Sequence, residues 1–572
     1  MQDEPATSLR PPVLAMPKHA GAAPDSTYEV AVIGGGVNGT GTARDLALRG
    51  VSVVLFERND FAFGASGNSS GMIHGGPRYM QKNPSVTESS CRDSGYIQRI
   101  APFLLHRIPF LLPVKSGPKG RVMLELIDAY FRAYDDYQPL KRGEMHTRLD
   151  QSDLQRLEPG IVGSYVGGIT FDEWGIDGAR LCILNAIDAE EHGARLYNHT
   201  TVESIARDDD AYVLTAKDAL TGATVRVRAS HVVNATGAWA PVTAALGKLP
   251  TVRVRVRPGK GIHVTYDRRL SNYAIVAEAI DGREVFLMPW QNMSMIGTTD
   301  DDYYGDLDTV RSTSEEVRYL VQAVARVFPA VREARAIGTY VGVRPTIYEF
   351  GPTEDALSRE HAIIDHEVDG AKNVYSMIGG KLASYRAFSQ EMADTLATEL
   401  APGVLCSTHT KPLPGGDAVP DAIALAEEHG ITPVAARRLV FRHGSRSLRV
   451  LSRLERDPKE REIVCACEPV LSAEVRHAIK RELARTVDDV SRRTRLGLGA
   501  CGGMRCAARC GQIVADELGL SPRVGREQAR DFLEKQGQLR VVAMGPEQAR
   551  QEALLLAQAR ATLGVDREPR EG

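Results

Sequence analysis

Three glycines and one acidic residue near the start of the chain are spaced as a phosphate-binding turn requires. Gly34, Gly36 and Gly39 form a G-x-G-x-x-G pattern, and Glu57 follows 23 residues after the first glycine. The first glycine permits a tight turn, the second lets the backbone approach a pyrophosphate, and the third lets a helix pack closely on a strand. The N–H groups at the helix start favour phosphate, and the acid can accept from a ribose hydroxyl. The pattern predicts a dinucleotide site.

Five of the eight cysteines fall in a short stretch near the carboxyl end, which indicates a metal site rather than disulfides. Cys465 and Cys467 form C-x-C, and after 33 intervening residues Cys501 and Cys506 form C-x4-C. Four thiolates from two loops can hold one tetrahedral zinc or a [2Fe–2S] cluster, and the spacing leaves both open. Cys510 lies one helical turn beyond Cys506, so we predict that it is not a ligand.

The elements that must position the glycine turn follow from the hydrophobic pattern around it. Tyr28–Ile33 is an apolar run rich in β-branched residues, which predicts a strand. Thr40–Arg49 is typical of a helix that Gly50 ends, and Val51–Phe56 predicts a second strand. This strand–turn–helix–strand order is the setting in which such a glycine pattern binds a dinucleotide.

Small residues recur in four further segments, at 64–76, 232–239, 342–345 and 379–382. Segments of this kind can run close to a flat ligand and offer it backbone donors. Although they are spread over more than half of the chain, we expect them to converge on one extended cofactor.

Six motifs follow one another along residues 28–386: IGGGVNGTG, IHGGPRYM, VNATGAWA, MPWQNMSMIGTTD, GVRP and GGKLASYR. Their order and spacing resemble the FAD-dependent glycerol-3-phosphate dehydrogenases, within the D-amino-acid-oxidase-like flavoproteins. The resemblance implies an α/β fold in which a Rossmann-like FAD-binding domain is interleaved with an α+β substrate domain. It also implies that sn-glycerol 3-phosphate loses a hydride from C2 to the flavin and becomes dihydroxyacetone phosphate.

The resemblance carries Glu57 to the adenosine ribose and puts Thr236 and Gly237 beside the flavin. The residues that it implies for FAD binding are Gly34, Gly36, Gly39, Glu57, Ser70, His74, Gly75, Thr236, Gly237, Gly342, Gly379, Gly380, Lys381 and Leu382.

A phosphorylated substrate needs two or three cations in a fixed cradle, for which arginine supplies a planar fork. The candidates for substrate binding are Arg78, Tyr79, Arg344, Arg359 and Lys381. Of these, Arg344 and Lys381 are also predicted to be catalytic, and Arg344 could stabilise a developing alkoxide.

The base that takes the hydroxyl proton is left open by the sequence. His74 is predicted to be catalytic because the unperturbed pKa of histidine lies near 6.5. It could equally be a hydrogen-bonded structural residue in the turn beside FAD. Tyr79 and His263 are weaker candidates.

The residues around the cysteines, CACE and DDVSRRTRLGLGACGGMRC, resemble the small domain of bacterioferritin-associated ferredoxin. That resemblance implies a [2Fe–2S] cluster held by Cys465, Cys467, Cys501 and Cys506. The C-x4-C gap is longer than usual, and it is similar to copies fused to the catalytic subunits of anaerobic-type glycerol-3-phosphate dehydrogenases. A catalytic subunit of this type implies partner subunits that pass electrons to membrane quinone, and a cytoplasmic protein held at the inner face of the membrane.

The predicted order of domains follows from these motifs and from changes in composition. Residues 1–27 are expected to be a disordered arm, 28–400 the interleaved FAD and substrate domain, and 401–455 a linker with helices. Residues 456–522 are expected to be a small, mainly helical [2Fe–2S] domain with a helix after Thr486, and 523–572 a helical tail. Arg437–Arg461 holds nine basic residues against three acids. Such a run is usually a solvated face, and it could also contact acidic subunits or anionic lipid.

The overall composition is that of a globular protein, with 43% hydrophobic residues and a formal net charge of −3. This charge gives no indication of nucleic-acid binding, and no apolar run approaches the roughly 20 residues that span a bilayer.

Two other functions remain open from the sequence: a related amine or 2-hydroxy-acid dehydrogenase with the same flavin fold, and a non-catalytic iron–sulfur carrier.

Overall fold

A computed structural model of the 572-residue chain describes residues 26–77, 80, 84–248, 253–351 and 360–565. Three of the predicted substrate residues, Arg78, Tyr79 and Arg359, and nearly all of the predicted arm lie outside the described residues.

The described strands form two large sheets and one small hairpin. In chain order they are β1 (Ser26–Ile33), β2 (Val53–Phe56), β3 (Met72–Ile73), β4 (Leu105–Lys115), β5 (Thr147–Asp150), β6 (Tyr165–Ile176), β7 (Arg195–Tyr197), β8 (Thr200–Asp208), β9 (Ala211–Asp218), β10 (Thr224–Asn234), β11 (Val256–Tyr266), β12 (Ala274–Glu278), β13 (Glu284–Trp290), β14 (Met293–Gly297), β15 (Asp301–Asp302), β16 (Ala336–Ile347), β17 (His361–Asp365), β18 (Val374–Gly379), β19 (Ile463–Cys465) and β20 (Val470–Leu471).

The described α-helices connect and cover these strands and make up most of the carboxyl-terminal part. In chain order they are α1 (Val37–Leu48), α2 (Pro84–Ile100), α3 (Gly120–Asp135), α4 (Gln138–Lys141), α5 (Gln151–Leu157), α6 (Gly178–Glu191), α7 (Ala240–Leu246), α8 (Ser314–Ala325), α9 (Tyr385–Leu400), α10 (Ala422–His429), α11 (Pro433–His443), α12 (Ser447–Arg456), α13 (Ser472–Arg481), α14 (Val487–Thr494), α15 (Ala507–Leu518), α16 (Pro522–Val541) and α17 (Pro546–Leu563).

The first large sheet has a Rossmann-like parallel centre in the order β18–β10–β1–β2–β7. Strand β17 adds an antiparallel edge, and β8 and β9 extend β10 as an antiparallel meander. Helix α1 packs against α6 and α9. Strand β1 begins at Ser26 rather than Tyr28, because Ser26 and Thr27 pair with Val227 and Arg228. The predicted arm is therefore two residues too long at this end.

The second large sheet runs β15–β11–β14–β13–β12–β4–β6–β3, with β16 paired to β11 and β5 paired to β6. The chain passes repeatedly between the two sheets: residues 26–56, 195–234 and 361–379 supply the first, and 72–176 and 256–347 supply the second. The predicted α/β fold with an interleaved second domain is thus confirmed.

The carboxyl-terminal part is mainly helical, as predicted. Helix α13 begins at Ser472 and α14 follows Thr486, whose hydroxyl accepts from the N–H of Asp489 in a capping box. Phe532 of α16 and Leu563 of α17 pack in the same hydrophobic cluster as the helices that surround the cysteines. The last two helices therefore support the cysteine-bearing region rather than extending away from it.

Candidate functional site

The glycine turn between β1 and α1 has the close backbone approaches that its spacing predicts. Gly34 has φ +111°, and a Cβ there would lie 2.6 Å from the carbonyl oxygen of Ala235. A Cβ on Gly39 would lie 1.9 Å from the carbonyl oxygen of Gly34. Both positions therefore exclude any side chain, which keeps α1 tight against β1.

The amino end of α1 is built from small residues and carries no acidic side chain in its first turn. Gly36 stands at the N-cap, and the hydroxyl of Ser66 accepts from the Val37 N–H at 3.0 Å. The sequence did not single out Ser66, because it comes from a different segment. A helix start whose N-cap residue, Gly36, has no side chain and leaves the backbone accessible fits the pyrophosphate of a dinucleotide.

Glu57 lies at the end of β2 and holds the turn together. Its carboxylate accepts from the Gly35 N–H at 2.6 Å and from the Asn59 N–H at 2.7 Å. Burial raises the pKa of Glu57, and these two amide donors oppose that effect. A carboxylate fixed in this way has lone pairs left for a ribose hydroxyl.

The small-residue segments come together along β16. A Cβ on Gly342 would meet the carbonyl oxygen of Asn68 at 2.6 Å, and one on Gly237 would reach the Pro345 ring at 3.9 Å. A Cβ on Gly379 would lie 3.1 Å from Ile347. Residues 64–76, 232–239, 342–345 and 379–382 are thus brought side by side, as the sequence led us to expect.

The glycines near the end of β18 also shape this region. Gly237, Gly379 and Gly380 have φ of +60°, +77° and +87°, where side chains are strained. Lys381 follows in extended conformation and is half-buried at the start of the short 3₁₀ turn that contains Leu382.

Arg344 is held in place through its guanidinium. Its terminal nitrogens donate to Asp300 Oδ1 at 2.7 Å and to Thr298 Oγ1 at 3.0 Å. A Cβ on Gly261 would lie 2.5 Å from the guanidinium, so this glycine on the neighbouring strand makes room for it. The Arg344 side chain is thus fixed by these contacts and is still 28% exposed. Thr298 and Asp300 lie inside the quoted motif MPWQNMSMIGTTD, but their roles were not predicted.

His263 occupies a buried position next to the same arginine. Its Nε2 lies 2.8 Å from Ser70 Oγ, and its ring stacks on Tyr340 at 4.7 Å. Burial, together with the positive charge of Arg344, lowers the pKa of His263 to about 3. An imidazole with this pKa is a weak base at neutral pH, so His263 is better suited to orienting Ser70 than to taking a proton.

The turn that carries His74 rests on a buried polar cluster that the sequence did not indicate. The Gly75 N–H donates to Glu173 Oε2 at 3.1 Å, and a Cβ on Gly75 would lie 2.4 Å from the Tyr134 hydroxyl. Glu173 also accepts from Tyr134 at 2.7 Å and forms a fully buried ion pair with Lys141 at 2.7 Å. His74 itself is half-buried. No local pattern joins these residues, since they come from three distant segments.

The four predicted metal-binding cysteines meet at one place in two pairs. Cys467 Sγ lies 3.6 Å from Cys501 Sγ. A hydrogen bond from Cys506 lowers the pKa of Cys465 to about 6, although burial opposes the shift. Cys510 is fully buried in the hydrophobic cluster one helical turn beyond Cys506, and burial raises its pKa.

Two arginines connect the cysteine region with the second large sheet. Arg540 of α16 donates to the carbonyl oxygen of Ala500 at 3.1 Å and to that of Ile337, at the start of β16, at 2.9 Å. The guanidinium of Arg495 lies 4.0 Å from the centre of the Trp290 ring. The cysteine loop is therefore tied to the strand that carries Arg344.

Comparison with known proteins agrees with this geometry. The family described as "FAD dependent oxidoreductase" matches residues 29–386, and the "C-terminal domain of alpha-glycerophosphate oxidase" matches residues 406–524. The fold and the glycine turn thus define the class of FAD-dependent oxidoreductases.

Proteins similar in sequence identify a family within this class of oxidoreductases. A glycerol-3-phosphate dehydrogenase of Synechocystis sp. is 32% identical over 501 residues, which cover 82% of this chain and 88% of the relative. A subunit of the anaerobic glycerol-3-phosphate dehydrogenase of Escherichia coli K12 is 30% identical over 492 residues, or 85% and 88% of the two chains. The chain belongs to the FAD-dependent glycerol-3-phosphate dehydrogenase family.

The fold has a solved counterpart. The crystal structure of the glycerol-3-phosphate dehydrogenase from Bacillus halodurans, complexed with FAD, superimposes with a TM-score of 0.71. It is 24% identical, and the match covers 90% of this chain and 95% of that one.

Across the described ranges, no helix combines the length and apolar character needed to cross a membrane.

Proposed function

We propose that this protein oxidises sn-glycerol 3-phosphate to dihydroxyacetone phosphate with FAD bound at the glycine turn. The observation that carries the proposal is the convergence of four small-residue segments on β16, next to the fixed guanidinium of Arg344. FAD, when bound, supplies the acceptor for the hydride that leaves C2 of the substrate. Gly34, Gly36, Gly39 and Glu57, with the segments along β16, are the residues that would hold it.

The protein's own part is to bind the phosphate and to stabilise charge at the alcohol. Arg344, anchored on Asp300 and Thr298, can place its positive charge against the substrate without losing its position. We assign Lys381, Arg78, Tyr79 and Arg359 to the same cradle from their motifs. His74 remains the proposed base, because burial disfavours the protonated form of His263.

We further propose a [2Fe–2S] cluster at the four cysteines. Four thiolates around one zinc, at Zn–S distances near 2.3 Å, would all lie within about 4 Å of one another. Within the described part of the chain, no three cysteine sulfurs lie mutually within 4.8 Å. Cys467 with Cys501 and Cys465 with Cys506 form two thiol pairs, and these four residues would hold a [2Fe–2S] cluster, which supplies one-electron chemistry when bound.

The cluster would relay electrons one at a time from the flavin to partner subunits and then to membrane quinone. This role is supported by contacts that fix the cysteine loop against the second large sheet. Arg540 contacts Ala500 and Ile337, and Arg495 contacts Trp290. In this proposal the protein works at the inner face of the cytoplasmic membrane, attached through its partners.

One experiment tests both parts of the proposal. The protein is purified anaerobically, its visible and EPR spectra are recorded, and sn-glycerol 3-phosphate is added, with sn-glycerol 1-phosphate as the matched control. We expect flavin bleaching with the first enantiomer only, followed by the EPR signal of a reduced cluster. Bleaching by an amine or a 2-hydroxy acid instead would overturn the substrate assignment. Stoichiometric zinc and no EPR signal would overturn the relay.

A further inference from the structure

A cavity of about 320 Å³ lies between the second large sheet and α11, and none of its lining residues belongs to the glycine turn. Four arginines line it, namely Arg107, Arg269, Arg437 and Arg438, and its lining includes no carboxylate. Like charges are normally kept apart, so four guanidinium groups around one cavity indicate an anionic occupant. We propose that this cavity, the arginine pocket, binds a phosphate-bearing small molecule or headgroup.

Three of the guanidinium groups are fixed by contacts on one side. The Nε of Arg107 donates to Asp172 at 2.5 Å, and Arg269 donates to the carbonyl oxygens of Ser271 and Asn272, both at 3.1 Å. Arg438 donates to Gln291 and lies 3.7 Å from Glu468. Each group keeps further N–H donors beyond those contacts, which is how arginine binds phosphate with little loss of side-chain entropy.

Arg437 is the most available cation of the pocket. Its side chain is exposed, and its guanidinium forms no hydrogen bond or ion pair with any residue in the described ranges. It stands next to Arg438 on α11, at the start of the basic run Arg437–Arg461. The amino-terminal end of that run therefore forms part of the wall of the arginine pocket.

His106 provides a second, independent indication of a ligand. Both of its ring nitrogens are buried, and neither has a hydrogen-bond partner among the described residues. A buried imidazole that donates to nothing is costly, and a bound oxyanion would accept from it. Burial and the charge of Arg495 lower the pKa of His106 to about 4, so the neutral ring would donate a single N–H.

The electrostatics and the walls of the pocket favour a phosphate ester over a bare ion. Burial is the main cause that lowers the pKa of Arg438; Glu468 opposes the shift, and the nearby Arg495 and Arg442 add to it. Pro289 and Phe441 add apolar surface to the lining. The volume leaves room for a small organic group in addition to one phosphate.

The test measures pyrophosphate binding to the FAD-loaded full-length chain by calorimetry at constant ionic strength. The variants are Arg437→Ala and Arg107→Gln, and the control is Arg449→Ala, an exposed arginine on α12 outside the pocket. Loss of one charge-assisted contact should weaken binding by about tenfold or more in both pocket variants. The control should bind like the wild type, and flavin reduction by substrate should be unchanged in all three.

A second arm distinguishes a free phosphate compound from a lipid headgroup. Sedimentation with phosphatidylglycerol vesicles, against phosphatidylcholine vesicles, is measured for the same proteins. Vesicle binding that is lost in the pocket variants and kept in Arg449→Ala would support a headgroup as the source. Equal pyrophosphate affinity in wild type and pocket variants would overturn the proposal, as would vesicle binding that all three substitutions weaken alike. These outcomes are separate from those of the proposed function, since they require no turnover.

Discussion

At the scale of single residues, the position of Arg344 depends on a glycine in the neighbouring strand. Gly261 lies on β11, two residues beyond Gly259, which is the register partner of Arg344, and a Cβ on Gly261 would lie 2.5 Å from the guanidinium. Asp300 supplies the opposite charge at 2.7 Å. A guanidinium fixed in this way stabilises developing charge without having to reorganise during the reaction.

Replacing Arg344 should therefore impair chemistry more than cofactor binding. We expect Arg344→Ala to lower kcat with sn-glycerol 3-phosphate by about 10²–10³, roughly 3–4 kcal/mol, while the protein retains FAD. The measurement is steady-state dye reduction together with flavin content. The control is Arg283→Ala, because Arg283 donates to the Asp300 carbonyl and pairs with Asp301 in the same loop. Near-normal turnover by Arg344→Ala would contradict the assignment.

The glycine turn allows a test of the cofactor at one position. A Cβ on Gly36 would lie 3.3 Å from Ser66 Oγ, and the branches of valine would extend into the space that phosphates need. We expect Gly36→Val to remain soluble but to be recovered largely without FAD, as measured by flavin absorbance per protein. In Gly545→Val, where a Cβ meets nothing within 4 Å, the flavin content should be unchanged. Full flavin occupancy in Gly36→Val would show that the turn does not approach the pyrophosphate.

At the scale of elements, α16 determines the shape of the cysteine loop. Gly497 and Gly503 have positive φ, and a Cβ on either would lie within 2.7 Å of the Phe532 ring. A Cβ on Gly502 would lie 2.8 Å from Arg540 Nε. The loop that brings Cys501 close to Cys465 and Cys467 therefore owes its shape to packing against α16, a helix that follows it in the chain.

This arrangement separates the roles of two neighbouring cysteines. Cys506 lies at the N-cap of α15, next to Cys465, whereas Cys510 is buried one turn further on. Cys506→Ser should lose or destabilise the cluster and leave substrate-driven flavin reduction intact. Cys510→Ser should leave the visible and EPR spectra nearly unchanged and serves as the matched control. If iron is lost from Cys510→Ser and kept in Cys506→Ser, the fourth ligand is wrongly assigned.

At the scale of the whole molecule, buried ion pairs lock the helical part onto the flavin fold. Arg180 of α6 binds both carboxylate oxygens of Glu482, at 2.6 and 2.7 Å, and Arg493 of α14 binds Asp60 close to the glycine turn. His443, His477 and Glu482 lie as close together as cation ligands would. However, the Arg180 guanidinium already supplies the positive charge there, since it also lies 3.0 Å from His443 Nδ1.

This junction should make stability depend on pH. Burial lowers the pKa of His477 to about 3, so the unfolded imidazole takes up a proton near pH 6.5 while the folded one does not. Burial would raise the pKa of Glu474, but Arg442 and His443 outweigh it and lower that pKa to about 2. The contacts of Glu474 with Arg442 and His443 stabilise the folded state at neutral pH, and this contribution is lost below about pH 4.5. His477 is neutral in both states at neutral pH; because only the unfolded chain readily takes up its proton, His477 lowers the stability below about pH 6.5.

The free energy of unfolding should therefore decrease steadily as the pH falls from neutral towards about 3. Each unit of pKa shift corresponds to about 1.4 kcal/mol, so Glu474 alone should contribute on the order of 3 kcal/mol. Denaturant unfolding followed by circular dichroism at several pH values measures the slope. Glu474→Gln should be less stable at neutral pH and should show a flatter slope below about pH 4.5. A wild-type unfolding free energy that is independent of pH would rule out this junction as a source of stability.

The sequence alone determined the features that are encoded in contiguous residues. The strand–turn–helix–strand order around Gly34 and Gly39, the C-x-C and C-x4-C pairs and the capped start of α14 are set by local spacing, because each depends on neighbours a few residues away. The motif order also led to the family to which the chain belongs. Arg78, Tyr79 and Arg359 remain predictions, since they lie outside the described residues.

Only the tertiary structure decided which distant side chains meet. The Lys141–Glu173 pair behind Gly75, the contact of Arg540 with the cysteine loop, and the arginines of the pocket join segments that are far apart in the chain. No period or spacing in the sequence encodes such contacts, because they arise from how the two sheets interleave and where the helical part docks. The burial that shifts the pKa of His263 and His106 has the same origin, since it depends on surrounding chain that the sequence does not place next to them.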